Sequence, residues 1–98
     1  MATNTKSNNM STSSTKNLIL YKFVLYHVKD PKVLHAICKK HPRIVYIKDK
    51  TNDNNTLMHH YASQGNRECM HILRKNGASS FRKNSKGFSP IQLLRDSL

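Results

Sequence analysis

The chain has 98 residues, a hydrophobic fraction of 37% and a formal net charge of +12. That length suits one small domain, and that charge favours acidic partners: nucleic acid, an anionic surface or an acidic protein face. Two cysteines are too few for a disulfide framework, and no run approaches the ~20 apolar residues of a membrane span, so an intracellular, reducing compartment is expected.

Residues 1–16 are dominated by Ser, Thr and Asn, with Met1 and Met10 as the only large apolar side chains. Such a segment buries too little apolar area to offset chain entropy and reads as a disordered polar tail. It lacks the apolar core of about 7–15 residues that a secretory signal needs. Asn17 is then a candidate N-cap for a first helix running to Val28. Asp30-Pro31 restarts the chain with an N-cap followed by proline at the first helical position. Val33, Leu34, Ala36, Ile37 and Cys38 supply the apolar face of this second helix, which Pro42 ends. The connector over 42–55 is rich in Lys, Asp and Asn, and Ile44-Val45-Tyr46-Ile47 within it either forms a short strand or packs the loop.

A helix pair follows over about Leu57–Gln64 and Arg67–Asn76, with Gly65 as the break and Gly77 at the position after the helix end. Thr56 caps the first helix of the pair, and Met58 and Ala62 face a neighbour. Glu68 lies where negative charge suits the helix dipole, and Cys69, Met70, Ile72 and Leu73 form the core face of the second helix. Residues 79–88 connect to a last helix opened by Ser89 and Pro90 and running to about Asp96.

Thr56-Leu57-Met58-His59 opens a unit that Gly77-Ala78 closes, and Gly87-Phe88-Ser89-Pro90 opens it again, with Ser89 standing 33 positions after Thr56. In period and in these marks the stretch resembles ankyrin repeats. The resemblance implies an all-α solenoid of about two to three helix pairs behind the tail. Residues 17–55 would be a degenerate first unit with its connector, 56–88 a full repeat and 89–98 a truncated further unit. The repeat positions are Thr56, His59, Ala62, Gly65, Gly77, Ala78, Gly87, Ser89 and Pro90. In the family the histidine at the His59 position ties adjacent loops through backbone hydrogen bonds, and Gln92 replaces it one unit later. The segment Lys32–His41 overlays Glu68–Gly77, which leaves the first connector three residues longer than the second. Leu57 stands where the family has proline and Tyr61 where it has a small alanine. With so few units the stack is expected to be marginal alone or stabilised by a partner.

Chemistry beyond binding finds little support in the residues. His35, Cys38 and His41 on one helix, and Cys69 with His71 on another, lack the paired spacing of a zinc motif. The acids Asp30, Asp49, Asp53, Glu68 and Asp96 form no paired constellation, and Gly65, Gly77 and Gly87 are repeat turns rather than a phosphate cradle. The expectation is a non-enzymatic protein-binding module with no metal and no cofactor.

The solenoid class presents loop tips and first helices as its recognition surface. Partner contacts are therefore placed at Lys48, Lys50, Asn52, His60, Arg82, Lys83 and Lys86. Phe81 and Phe88 flank the second basic tip, an arrangement that also suits phosphates and bases; the preferred expectation is that both rings pack beneath the loop, which leaves nucleic acid as the alternative partner. The chain further resembles the short I-κB-like ankyrin proteins of immunosuppressive insect-associated viruses, of the polydnavirus and bracovirus type. That resemblance implies a host NF-κB/Rel factor as partner, held inactive in cytoplasm or nucleus, with immune signalling suppressed. The Asp-Ser-Gly phosphodegron and the acidic tail that let cellular I-κB be removed are not found in the sequence.

Overall fold

Hydrogen-bonded caps punctuate the chain at almost every helix boundary, and they set the architecture. The computed structural model describes residues 16–97, with side chains to residue 95. The expected polar tail lies outside the described residues, apart from Lys16. Helix α1 spans 16–27, so Asn17 sits inside the helix rather than capping it. Tyr21, Val24 and Val28, three and four residues apart, form its buried stripe.

Helix α2 covers Pro31–Lys40, and the Asp30 carboxylate accepts from the Lys32 amide at 2.9 Å as its cap. Its buried face is narrower than the sequence suggests. Leu34 and Cys38 are buried and Ile37 is half-buried, whereas Val33 and Ala36 are exposed. Helix α2 packs on α4 and on residues 42–46, and those contacts leave Val33 and Ala36 in solvent.

Pro42 ends α2 and also begins a 3-10 helix, Pro42–Tyr46. Of the two expectations for Ile44–Ile47, the strand is replaced by this short helix, while packing of the connector holds for Ile44 and Val45, which are buried. Ile44 and Val45 are both buried although adjacent, which the two-residue alternation of a half-buried strand forbids. Among the described residues the only bridge between extended segments joins Asp49 and Asn55.

Helix α3, Leu57–Ser63, is short and buried almost all round: Leu57, Met58, His59, Tyr61 and Ala62 are inaccessible. It packs on α4, Arg67–Lys75, and most extensively on α5, Pro90–Ser97. Helix α4 buries Cys69, Met70 and Leu73, with Ile72 half-buried beside them. Both helices of this pair end in the same motif. Gly65, at φ +71°, sends its amide to the Ala62 carbonyl while Asn66 bonds Tyr61. Gly77, at φ +101°, sends its amide to Arg74 while Ala78 bonds Leu73. This is the Schellman arrangement, which needs a left-handed residue after the helix end and so selects glycine. The Gly-Ala close read in the sequence is this cap.

The capping boxes that open α3 and α5 are also the same. Thr56 Oγ1 accepts from the His59 amide at 3.4 Å, and the His59 ring returns to the Thr56 amide at 3.2 Å. Ser89 Oγ accepts from the Gln92 amide at 3.4 Å, and the Gln92 side chain returns to the Ser89 amide at 2.8 Å. Each box satisfies amides that a helix start otherwise leaves unpaired. A single hydrophobic cluster runs from Tyr21 of α1 to Leu94 of α5. The described fold is thus helical, with α3 packed on α4 and on α5, α2 packed on α4, and α1 contributing to the shared core.

Candidate functional site

The two connectors lie side by side and are bound to each other. In the first, the buried Asp49 carboxylate accepts from the Thr51 amide at 3.1 Å, the Thr51 hydroxyl at 2.6 Å and Lys22 Nζ at 2.9 Å. Burial pushes the Asp49 carboxyl up, but these donors outweigh it and hold the group below its ordinary value. The hydrogen bond from Lys22 keeps that ammonium above its own usual range. The tip turns through Asp53 and Asn54, both at φ +57°, with the Asn55 amide donating to the Asn52 carbonyl at 3.0 Å. Consecutive left-handed residues make a type I′ turn, and Asn and Asp are the non-glycine residues that tolerate it.

In the second connector Asn84 is the organiser. Its Oδ1 accepts from the Lys86 and Phe88 amides, and its own amide donates to the Phe88 carbonyl at 2.8 Å. The cross-ties run from Ser85 N to the Asp53 carbonyl at 2.8 Å, from Asn54 Nδ2 to Ser85 Oγ at 2.6 Å, and from Asn84 Nδ2 to Asn55 Oδ1 at 2.8 Å. Lys86 adds an exposed ion pair to Asp53 at 3.5 Å, worth little in water.

Below the tips, His59 joins the same connectors from inside. Its Nδ1 accepts from Thr56, so the ring proton resides on Nε2, which donates to the Phe88 carbonyl at 3.0 Å. The structural tie expected of this histidine is present. Gln92 reproduces the half of it directed at the cap.

Lys48, Lys50 and Asn52 are exposed on the first connector and Arg82, Lys83 and Lys86 on the second, and the ties fasten the two connectors, here called the ledge, to each other at residues 53–55 and 84–86. His60 is placed apart from them. It is half-buried against the C-terminal part of α1, where burial first, and the Lys29 charge second, hold its imidazole below the ordinary value. A groove of about 680 Å³ continues the ledge towards α1, lined by Lys22, Arg43, Tyr46, Ile47, Lys48 and Lys50 among others. The expectation that Phe81 and Phe88 pack beneath the loop is overturned. Phe81 is 75% exposed and Phe88 42%, and the loop is held instead by the polar atoms of Asn84.

Compared with family models, curated proteins and solved structures, the chain matches none.

The two thiols are core groups. Cys38 and Cys69 are free and buried; burial raises the Cys38 thiol and pushes Cys69 up to about 11, and Cys69 Sγ donates to the Lys29 carbonyl at 3.3 Å. Neither is poised as a thiolate nucleophile. Among the described residues no three His, Cys, Asp or Glu side chains gather as metal ligands, and no helix is long and apolar enough to cross a membrane.

Sequence reasoning passed over Asp49, Asn54, Asn84 and Ser85, which build the ledge. The signal was present: Asn52-Asp53-Asn54-Asn55 is a turn-forming run, and Asp49 two residues before Thr51 fits an Asx turn. It also passed over Ile19, Phe23 and Tyr26, an exposed apolar stripe on the outer side of α1.

Proposed function

We propose that the chain is a non-enzymatic, ankyrin-type binding module that grips an acidic face of another protein with its basic ledge. The observation that supports this reading is the pair of cross-tied connectors, each of which carries exposed cations, Lys48 and Lys50 on the first and Arg82, Lys83 and Lys86 on the second. Loops already ordered lose little further freedom on binding. The ankyrin assignment is supported by the matched capping boxes of α3 and α5 and by the His59 tie to Phe88. The narrower proposal, a viral I-κB-like inhibitor of a host Rel factor, rests on the sequence resemblance. Like charges repel across an interface, so such a factor would dock through an acidic patch and not through its basic nuclear-localisation segment.

A second reading is favoured by one observation. The exposed Phe81 ring beside Arg82 and Lys83 is the combination that stacks on bases while gripping phosphates. Two measurements separate the readings. A protein-binding module retains its partner after nuclease treatment and loses it when Lys48, Lys50, Arg82 and Lys83 are replaced by Glu. A nucleic-acid binder binds generic single-stranded DNA or RNA with an affinity that falls steeply as salt rises and drops on Phe81→Ala. For the Rel proposal, expression should lower a Rel-driven reporter while the protein itself is not turned over; an unchanged reporter removes that partner.

A further inference from the structure

A second surface lies between α4 and α5, and it does not depend on the ledge. Its floor is Met70, Ile91 and Leu94, and its rim is Arg67, His71 and Arg74 from α4 with Arg95 from α5; its volume is about 360 Å³. Among the described residues no acidic side chain lines it. Helix α4 receives α2 on one side, and α5, which opens with the same capping box as α3, packs on α3; among the described residues no helix covers the groove between α4 and α5. The surface therefore has the shape of a seat for one more helix, equivalent to the place α4 takes next to α3.

We propose that this groove docks an amphipathic, acidic helix of a partner protein. The helix would lay an apolar stripe on Met70, Ile91 and Leu94 and present carboxylates to the arginines on either side. Charge decides between occupants. A second copy of this chain would bring net charge +12 to a rim that is itself cationic, and its exposed α1 stripe, Ile19, Phe23 and Tyr26, is flanked by Lys16, Lys22 and Lys29. Residues 1–15 offer no amphipathic apolar stripe, because Met1 and Met10 are their only large apolar side chains. An acidic helix is the occupant that meets both the floor and the rim.

The test uses the full chain and a synthetic helical peptide carrying a Leu stripe flanked by Glu, against the same peptide with Lys in place of Glu. The Glu peptide should bind saturably and shift backbone amide resonances of Met70, Arg74, Ile91 and Arg95, and the Lys peptide should not. Arg74→Glu with Arg95→Glu, both exposed positions, should weaken binding by about tenfold with an unchanged circular dichroism spectrum. Lys48→Glu with Lys50→Glu should leave it unaltered, which separates this groove from the ledge. Equal binding of the two peptides, resonance shifts confined to the loop tips, or a concentration-dependent dimer abolished by Arg74→Glu would overturn the proposal.

Discussion

The phenol of Tyr61 donates to the Val28 carbonyl at 2.6 Å, across a separation of 33 residues, with both residues buried. Tyr61 stands where the resemblance implies a small alanine. The larger ring does not disrupt the pair of helices; it fills the space between α1 and α3 and ties the end of one to the middle of the other. Tyr61→Phe keeps the ring and removes the bond, so it should cost about 1 kcal/mol by urea denaturation. Tyr61→Ala also opens a cavity and should cost about 4 kcal/mol. An alanine variant no worse than the phenylalanine variant would mean that the ring does not hold this junction.

Acid should loosen the fold before it reaches the carboxylates. Burial holds the imidazoles of His59 and His60 below their ordinary 6.5. The unfolded chain then takes up protons first as pH falls through about 6.5, so the stabilisation is complete above that pH and is lost below it, at no more than about 1.4 kcal/mol per pH unit per group. His59→Gln imitates the Ser89–Gln92 box, keeps the cap and removes one titrating group. Its urea midpoint should vary less between pH 7 and pH 5 than that of the parent chain. An identical pH dependence would show that His59 does not titrate on unfolding.

Asp49 should matter more than its Lys22 partner. The carboxylate is 2% exposed and organises Thr51 as well, whereas the Lys22 side chain is 40% exposed. Asp49→Asn should destabilise by about 2 kcal/mol, and Lys22→Met by well under 1 kcal/mol, since a pair with one solvated member is screened. Because the Asp49 carboxyl is held below its usual 3.8, its contribution is present above that pH and is lost as pH falls further. Asp49→Asn should therefore also flatten the most acidic limb of the stability curve.

Gly77→Ala should cost about 1 kcal/mol from the left-handed backbone alone. A Cβ there would also meet Tyr46 Oη at 2.5 Å. The hydroxyl lies at the far end of an exposed side chain and can swing away. Adding Tyr46→Phe to Gly77→Ala should therefore recover only a small part of the loss. Full recovery would mean that the clash, not the φ angle, sets the cost.

Asn17 misleads as a cap, since α1 already includes it, but from Asp30 onward the helix starts and stops named in the sequence are legible because residues with a local mechanism mark them. Asp30-Pro31, Thr56, Ser89-Pro90, Gly65 and Gly77 act on amides and dihedrals within a few positions of themselves, so sequence alone carries them. The failures arise where tertiary position decides. Val33 and Ala36 lie on the apolar side of α2, yet the neighbours α2 meets, α4 and residues 42–46, leave them in solvent. Ile44 and Val45 read equally well as a strand or as packing for the loop until burial of both adjacent side chains is known. At the candidate site, the cationic tips could be named from composition and spacing. The bonds that fasten their connectors, Asn54 to Ser85 and Asn84 to Asn55, join side chains about thirty positions apart, and no local pattern announces such a pair.

The ties between the connectors have one further consequence. They are made by main-chain atoms and by Asn54, Asn55, Ser85 and Asn84, while Lys48, Lys50, Arg82 and Lys83 take no part in them. The fastening and the fingertips are thus separate sets of residues. Each fingertip can be exchanged, a cation for an acid or a ring for an alcohol, without unpicking the seam beneath it, so the chain can be redirected to a new binding target by surface substitutions that leave its folding untouched.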